Sequence, residues 1–474
     1  MQSATIKKEK SSRLKKRPDA YVLLFIVLVI CAVATYLVPA GEYDRKELGD
    51  REITVPGTYH AVEANHIDFV DFFVAIQEGM VKGAPIIFLV LFTGGALHVI
   101  EKTGALNVGI SRLVHKLRNH ETLLIVIICF VFSILGTTAV IVNSVIAFIP
   151  LGIMLARAMK LDAIVGVALI YLGTYAGFNA PVTSPVTLGL SQEIADLPLF
   201  SGIEFRIIIY LAVVAVTIIY ICMYVKKLRK DPSKSILGAN AFPGALGSSE
   251  EKLDQNAPFT ARHKFIIAFT TVVLTAFIAC TFYLEWDTKE MTATFIFMAI
   301  GVGLIAKMSA NEIAKTFLQG CQKLVYGALI VGMARAVVVI LEDGKLLDTI
   351  VYGLATVLEP LSSVAAAIGM FIGSGLIHFL ISSGSGESVV LMPIFAPLAD
   401  VIGITRQVAV QALMFGEGFV NCINPTSGVL MAVLATSGIS YGKWLRFMLP
   451  LTAIWVVLGM IFLAIGVMIN WGPF

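Results

Sequence analysis

Ser382-Ser383-Gly384-Ser385-Gly386-Glu387-Ser388 interrupts a strongly apolar part of the chain, with residues 370–381 before it and residues 389–399, including Pro393, after it. Hydrocarbon offers an exposed backbone no hydrogen bonds. Irregular chain at membrane depth therefore survives only where it is buried in protein or lines a cavity. A carboxylate at the centre of a spanning helix costs about 2.5–3.5 kcal/mol on insertion scales, so Glu387 is a candidate for function. The stretch reads as the tip of a re-entrant hairpin, apolar going in and apolar coming back.

Composition agrees with that reading. Of 474 residues, 57% are hydrophobic and 14% are charged, against roughly a quarter charged in soluble domains. This is an all-α polytopic membrane protein, with the lipid bilayer as a partner and no call for nucleic acid in its net charge of +3. Seven basic residues (Lys7, Lys8, Lys10, Arg13, Lys15, Lys16, Arg17) precede an uncharged stretch over 20–40. That stretch is long enough for one crossing, and the positive-inside rule makes residues 1–19 a cytoplasmic tail. The six cysteines are scattered without CxxC spacing, which fits buried small hydrophobes better than disulfides or zinc.

Residues 20–230 form a first half. Residues 67–80, with Asp68, Asp71 and Glu78, are expected to lie along the membrane surface before a second span over 84–100. A hairpin follows over 121–160, broken at Gly136-Thr137-Thr138 and Asn143-Ser144. Next comes a helix over 163–197, broken at Gly177-Phe178-Asn179-Ala180-Pro181-Val182-Thr183-Ser184-Pro185. The span over 207–224 ends at Lys226, Lys227, Arg229 and Lys230 and so on the cytoplasmic side. Residues 231–263 are a polar cytoplasmic linker and 264–289 a linking span. Residues 290–474 repeat the plan: an amphipathic stretch over 311–321, a span over 324–341 containing Arg335, a hairpin over 362–400, a helix over 407–438 broken between Asn421 and Gly428, and a last span over 448–468.

The halves correspond in detail. Pro150 and Pro393, like Thr183-Ser184 and Thr426-Ser427, stand 243 positions apart. The first half begins and ends inside and the second ends outside, so the repeat is inverted and the C-terminus extracytoplasmic. Paired breaks in an inverted repeat are the pattern of a secondary transporter and point at its binding site. Four half-helices are expected to begin near Ser144, Val186, Ser388 and Val429. Their unpaired N–H groups and partial positive charge favour an anionic group.

The candidate substrate-binding residues are Asn143, Ser144, Asn179, Thr183 and Ser184 in the first half. In the second they are Ser383, Ser385, Glu387, Ser388, Glu417, Asn421, Asn424, Thr426 and Ser427. Thr137, Thr138 and Asn143 could hold a sodium ion. The plain alternative is that these groups only satisfy the broken backbone. Glu387 and Glu417 correspond to Ser144 and Thr174, so negative charge is confined to one side, which suggests a cationic group on the ligand or protons as coupling ions. Arg335, opposite Gly95 in the alignment of halves, could bind a substrate carboxylate or neutralise Glu387. The alternative for the carboxylates is a structural pair with Arg335 or Lys323. His98 and His378 read as packed or interfacial residues rather than ligands.

Tyr36-Leu37-Val38-Pro39-Ala40-Gly41-Glu42-Tyr43, Val331-Gly332-Met333-Ala334-Arg335-Ala336, residues 382–393 and the stretch from Gly177 to Pro185 resemble the YfcC-like family. Its relatives in the ion transporter superfamily are the arginine–ornithine antiporters and the anaerobic four-carbon dicarboxylate carriers. The likeness runs from about residue 18 to 470. It implies a homodimer in the bacterial cytoplasmic membrane, with a fixed scaffold and an elevator-like transport domain of hairpins and broken helices. The favoured expectation is exchange of a basic amino acid such as arginine or ornithine, its side-chain cation at Glu387 or Glu417. The alternative is a sodium- or proton-coupled dicarboxylate carrier. No cofactor beyond Na+ or H+ is expected. An intramembrane hydrolase is disfavoured, because Ser383 stands where Gly-x-Ser-Gly needs glycine and HExxH is absent.

Overall fold

The computed structural model describes residues 20–48, 51–105, 108–109, 112, 121–139, 141–244, 260–284, 286 and 288–472. The basic tail and residues 245–259 of the linker lie outside the described residues. The chain is mostly helical. Five described helices are long and apolar enough to cross a membrane, and a sixth if the bent Ala310–Asp343 helix counts as one span. Large apolar side chains remain exposed on their outer faces, such as Leu211, Ile219, Met223, Ile454, Val457 and Ile461. Such continuous apolar exposure suits lipid.

After α1 (Ala20–Leu37), four short strands depart from an all-α chain: β1 (Gly41–Glu42), β2 (Arg45–Leu48), β3 (Arg51–Thr54) and β4 (His60–Ala61). They form two antiparallel ladders, β1 with β4 and β2 with β3. Arg45 fastens them to the helices through a two-pronged ion pair, Nη2 to Asp348 Oδ1 at 2.8 Å and Oδ2 at 2.7 Å.

α2 is one continuous helix, Phe69–Lys102, and not a surface helix followed by a span. Asp68 is its N-cap, accepting from the amides of Val70 at 2.6 Å and Asp71 at 2.8 Å. The acidic residues thus complement a helix start. At 34 residues it is about 51 Å long, longer than the roughly 30 Å of hydrocarbon, so its polar first turns have room beyond the lipid.

The hairpin region of the first half holds α3 (Glu121–Thr137), a 3-10 turn over Ser144–Phe148 and α4 (Ile149–Ala158). Its broken helix comprises α5 (Ala163–Val167), a π turn over Ala168–Leu172, α6 (Gly173–Phe178), the break, a second π turn over Pro185–Gly189 and α7 (Leu190–Ile194). α8 (Ile203–Lys230) closes the half. α9 (Ala261–Leu284) and α10 (Thr288–Ile305) lead into α11, Ala310–Asp343. The expected amphipathic stretch and span are joined here too, with a 42° bend between Ala310–Tyr326 and Ala328–Asp343. Then come α12 (Leu347–Leu358), α13 (Ser363–Ile381), α14 (Gly384–Ile402), α15 (Arg406–Asn421), α16 (Gly428–Ser437) and α17 (Tyr441–Met468).

α2 packs most extensively against α11. A Cβ on Gly79 would stand 2.5 Å from both the carbonyl oxygen of Gly332 and the amide nitrogen of Ala336; one on Gly94 would stand 2.9 Å from the carbonyl oxygen of Gly320. Small residues let two helices approach this closely where no hydrophobic effect drives them together. Elsewhere the buried Arg206 joins α8 to α15, donating to Gln411 Oε1 at 2.6 Å and Gln407 Oε1 at 2.8 Å and lying over the ring of Trp471. Gly79→Ala should destabilise the protein by about 1–3 kcal/mol, read as a lower thermal midpoint in detergent. Gly353→Ala, where nothing lies within 4 Å, should not lower it. Equal midpoints for the two variants would sink the packing argument.

Candidate functional site

The site grows from the way two interrupted elements satisfy their own backbone. α13 ends at Ser382, which has a left-handed backbone (φ 45°). Ser383 then caps α14 by accepting from the amide of Gly386 at 3.3 Å. The second half-helix therefore begins at Gly384, a turn earlier than Ser388. Ser388 lies inside it, donating to the carbonyl of Gly384 at 2.8 Å and accepting from Ser191 Oγ at 2.9 Å.

Across the break, Asn424 Nδ2 donates to the carbonyl of His378 at 3.0 Å and to Ser382 Oγ at 2.7 Å. Thr426 Oγ1 contacts Ser382 Oγ at 2.5 Å and reaches the carbonyl of Phe379 at 2.7 Å. Asn424 and Thr426 thus pin the hairpin tip to the break. Ser427 caps α16, accepting from Leu430 N at 3.4 Å and donating to Asn421 Oδ1 at 3.1 Å.

The first half is tied similarly. Thr137 Oγ1 donates to the carbonyl of Ala180 at 3.3 Å and accepts from the amide of Val182 at 2.9 Å. Thr138 Oγ1 donates to the carbonyl of Leu135 at 3.0 Å. Ser184 caps the helix resuming at Pro185, accepting from Thr187 N at 3.4 Å and meeting Thr187 Oγ1 at 3.0 Å. Both breaks therefore restart from a serine cap.

Between the tips and the breaks lies a cavity of about 210 Å³. Of the expected site residues, Asn143, Ser383, Ser385, Asn421, Ser427 and Arg335 line it, with Tyr175, Phe178, Thr187, Ser382, Gly384, Gly428 and Val429 also at its wall. Ser144, Asn179, Thr183, Ser184, Glu387, Ser388, Glu417, Asn424 and Thr426 stand outside that lining. Among the described lining residues, Arg335 is the charged one. Gly384 and Ser385, and likewise Gly428 and Val429, are the first two residues of α14 and α16. Amides at those positions have no partner within their own helix.

Glu387 does not pair with Arg335. Its Oε2 is 2.7 Å from His378 Nδ1, and both side chains are fully buried. Lys323 instead contacts His98, at 3.2 Å. His378, expected to be a packed histidine, is packed and is also the partner of the tip carboxylate. A sequence signal existed. A hairpin turning at Ser382-Ser383 brings together positions equidistant from the turn, and His378 and Glu387 are each four residues from it. Glu417 is 1% exposed and its Oε1 has no hydrogen-bond partner. Both carboxamide atoms of the buried Asn179 are also unpartnered. The lining role of Thr187 follows from the cap it shares with Ser184, which residue spacing alone does not reveal.

The profile of the C4-dicarboxylate anaerobic carrier family, DcuC, matches residues 18–468. A Haemophilus influenzae (strain ATCC 51907 / DSM 11121 / KW20 / Rd) protein of uncharacterized function is 26% identical over 501 residues, covering 95% of this chain and 97% of that one. An Escherichia coli (strain K12) protein, provisionally named basic amino acid antiporter YfcC, is 27% identical over 483 residues, covering 94% of this chain and 95% of that one. Two solved structures align at 17% identity over 96% of this chain. They are the Neisseria gonorrhoeae MtrF efflux pump (TM-score 0.41, 96% of that chain) and the Alcanivorax borkumensis YdaH transporter (TM-score 0.44, 100% of that chain). With the profile match running almost end to end over a chain of apolar helices, this protein belongs to the DcuC family and is a multi-pass membrane transporter of the DcuC/YfcC type.

Proposed function

We propose that the chain is a secondary active transporter of a small dicarboxylate, held in the cavity between the two hairpin tips. The observation that carries this reading is Arg335, the charged group among the described residues of the cavity wall. A guanidinium matches a carboxylate in shape and charge. The first turns of α14 and α16, at the same wall, add unpaired amides and the positive ends of two helix dipoles. A volume of about 210 Å³ lies below the roughly 300–1,000 Å³ of pockets that hold drug-sized ligands, which suits a small metabolite.

Exchange of a basic amino acid is the second reading. Its support is Glu417, since a Cβ on the wall residue Gly384 would overlap Glu417 Oε1. A carboxylate so near could face a side-chain cation while Arg335 holds the α-carboxylate. The provisional name of the E. coli relative points the same way. Arg335 serves the carboxylate in both cases, whereas burial of Glu387 and Glu417 away from the lining favours the dicarboxylate.

The transport movement we infer is of the elevator type, in an inverted repeat that assembles as a homodimer in the bacterial cytoplasmic membrane with its N-terminus inside. α2 and α11 are each 34 residues long and α8 and α17 each 28, which supports the pairing of halves. The glycine-packed α2–α11 pair would be the fixed part; the hairpins and broken helices, pinned to one another by side chains, would move.

Proteoliposomes loaded with unlabelled succinate should accumulate labelled succinate by counterflow. Labelled arginine entering instead, with no competition from succinate or malate, would refute the dicarboxylate reading in favour of the second. Arg335→Gln should lower succinate counterflow by roughly 100-fold, the scale of a lost charge-assisted pair. Arg335→Lys should retain part of it, and wild-type counterflow in Arg335→Gln would remove Arg335 from the site.

A further inference from the structure

Behind the tip, His378 on α13, Glu387 on α14 and Glu417 on α15 form a cluster that does not line the cavity. Their exposures are 0%, 0% and 1%. The side chains of His378 and Glu387 meet in one short contact, Nδ1 to Oε2 at 2.7 Å, which needs one proton between nitrogen and oxygen. His378 Nε2, Glu387 Oε1 and Glu417 Oε1 are buried without hydrogen-bond partners. Ser374 and Asn421 are the neighbouring polar side chains. Tyr175 is another titratable group close enough to feel the charge of Glu417. Of the charged residues on the adjoining elements, Arg335 on α11 faces the cavity, and Asp348 on α12 is paired with Arg45.

Fully deprotonated, the cluster would carry two negative charges at membrane depth. Unpaired buried charge is the costliest state available to it, and electroneutrality requires two bound protons. With the imidazole's own proton on Nε2, the first lies in the His378–Glu387 contact. The second has no fixed partner, and Glu417 is the remaining acceptor. Gly384 separates Glu417 from the cavity by backbone alone, since a Cβ there would overlap Glu417 Oε1.

We infer that the His378–Glu387–Glu417 cluster is a proton-binding site distinct from the substrate cavity, with Glu417 holding the dissociable proton. The consequence for coupling rests on the dicarboxylate reading. An anion beside Gly384 repels an ionised Glu417, so the two negative charges cannot be held together and substrate and proton bind jointly. The proton passes between the cavity and the Glu417 carboxyl at Gly384, and leaves again when the anion leaves.

Infrared difference spectra of the purified full-length protein, neutral against alkaline buffer, test the site without substrate. A protonated-carboxyl band should be present at neutral pH, bleach on alkalinisation, be missing from Glu417→Gln and persist in Glu387→Gln. A wild-type protein with no such band overturns the site whether or not the variants fold; so does a band that Glu417→Gln retains. For coupling, succinate added to weakly buffered wild-type protein should draw protons from solution, followed with an indicator dye. Accumulation of succinate driven by a pH gradient, relative to counterflow, should fall about tenfold in Glu417→Gln. Succinate binding without proton uptake would refute joint binding. No succinate binding at all would refute the dicarboxylate reading and leave the infrared result to decide the site.

Discussion

Backbone that leaves the helix at membrane depth has to find its partners within the protein, and the architecture around the cavity follows from that requirement. Asn424 does most for the second half: one carboxamide answers the last turn of α13, the hydroxyl of Ser382 and, through Oδ1 at 2.9 Å, the amide of Thr426. Thr137 does the same in the first half with a hydroxyl that donates to Ala180 and accepts from Val182. Once these groups are spent on the backbone, the polar surface left for a ligand is small. It consists of the tip serines, Asn143, Asn421, Ser427, Tyr175, Thr187 and the arginine that α11 supplies.

That division explains what could be read from the residues. The hairpin tip was legible because Gly384, Gly386 and a row of serines are out of place between apolar runs, and both breaks were legible from their prolines. The membership of the cavity was only half legible. Asn424, Thr426 and Ser184 have the composition of ligands and the position of staples, and sequence cannot tell an amide that binds backbone from one that faces a solute. From sequence α2 and α11 each look like two pieces, because Asp68, Asp71 and Glu78 resemble surface charges and residues 311–321 are amphipathic; both stretches belong to helices longer than the hydrocarbon is thick.

The charges show a different limit. Spacing marks Glu387 and Glu417 as candidates and suggests a cationic ligand. Folding turns both away from the cavity lining and leaves Arg335 at the wall, so the electrostatic sign of the cavity is opposite to the sign of the nearby formal charge. A carboxylate on the first turn of a helix can point along either side of it, and here the partner that decides is His378, which the turn at Ser382 brings into register.

The pinning of tips to breaks also has a mechanical reading. Hydrogen bonds are directional and break abruptly, so each tip and its break form a stiff body. The contact of α11 with α16 is of another kind: a Cβ on Gly428 would stand 2.9 Å from a methyl group of Val331. An apolar contact has no directional bond to break when two helices shift. On the elevator movement inferred above, this apolar contact at one wall of the cavity is where α16 would move against α11.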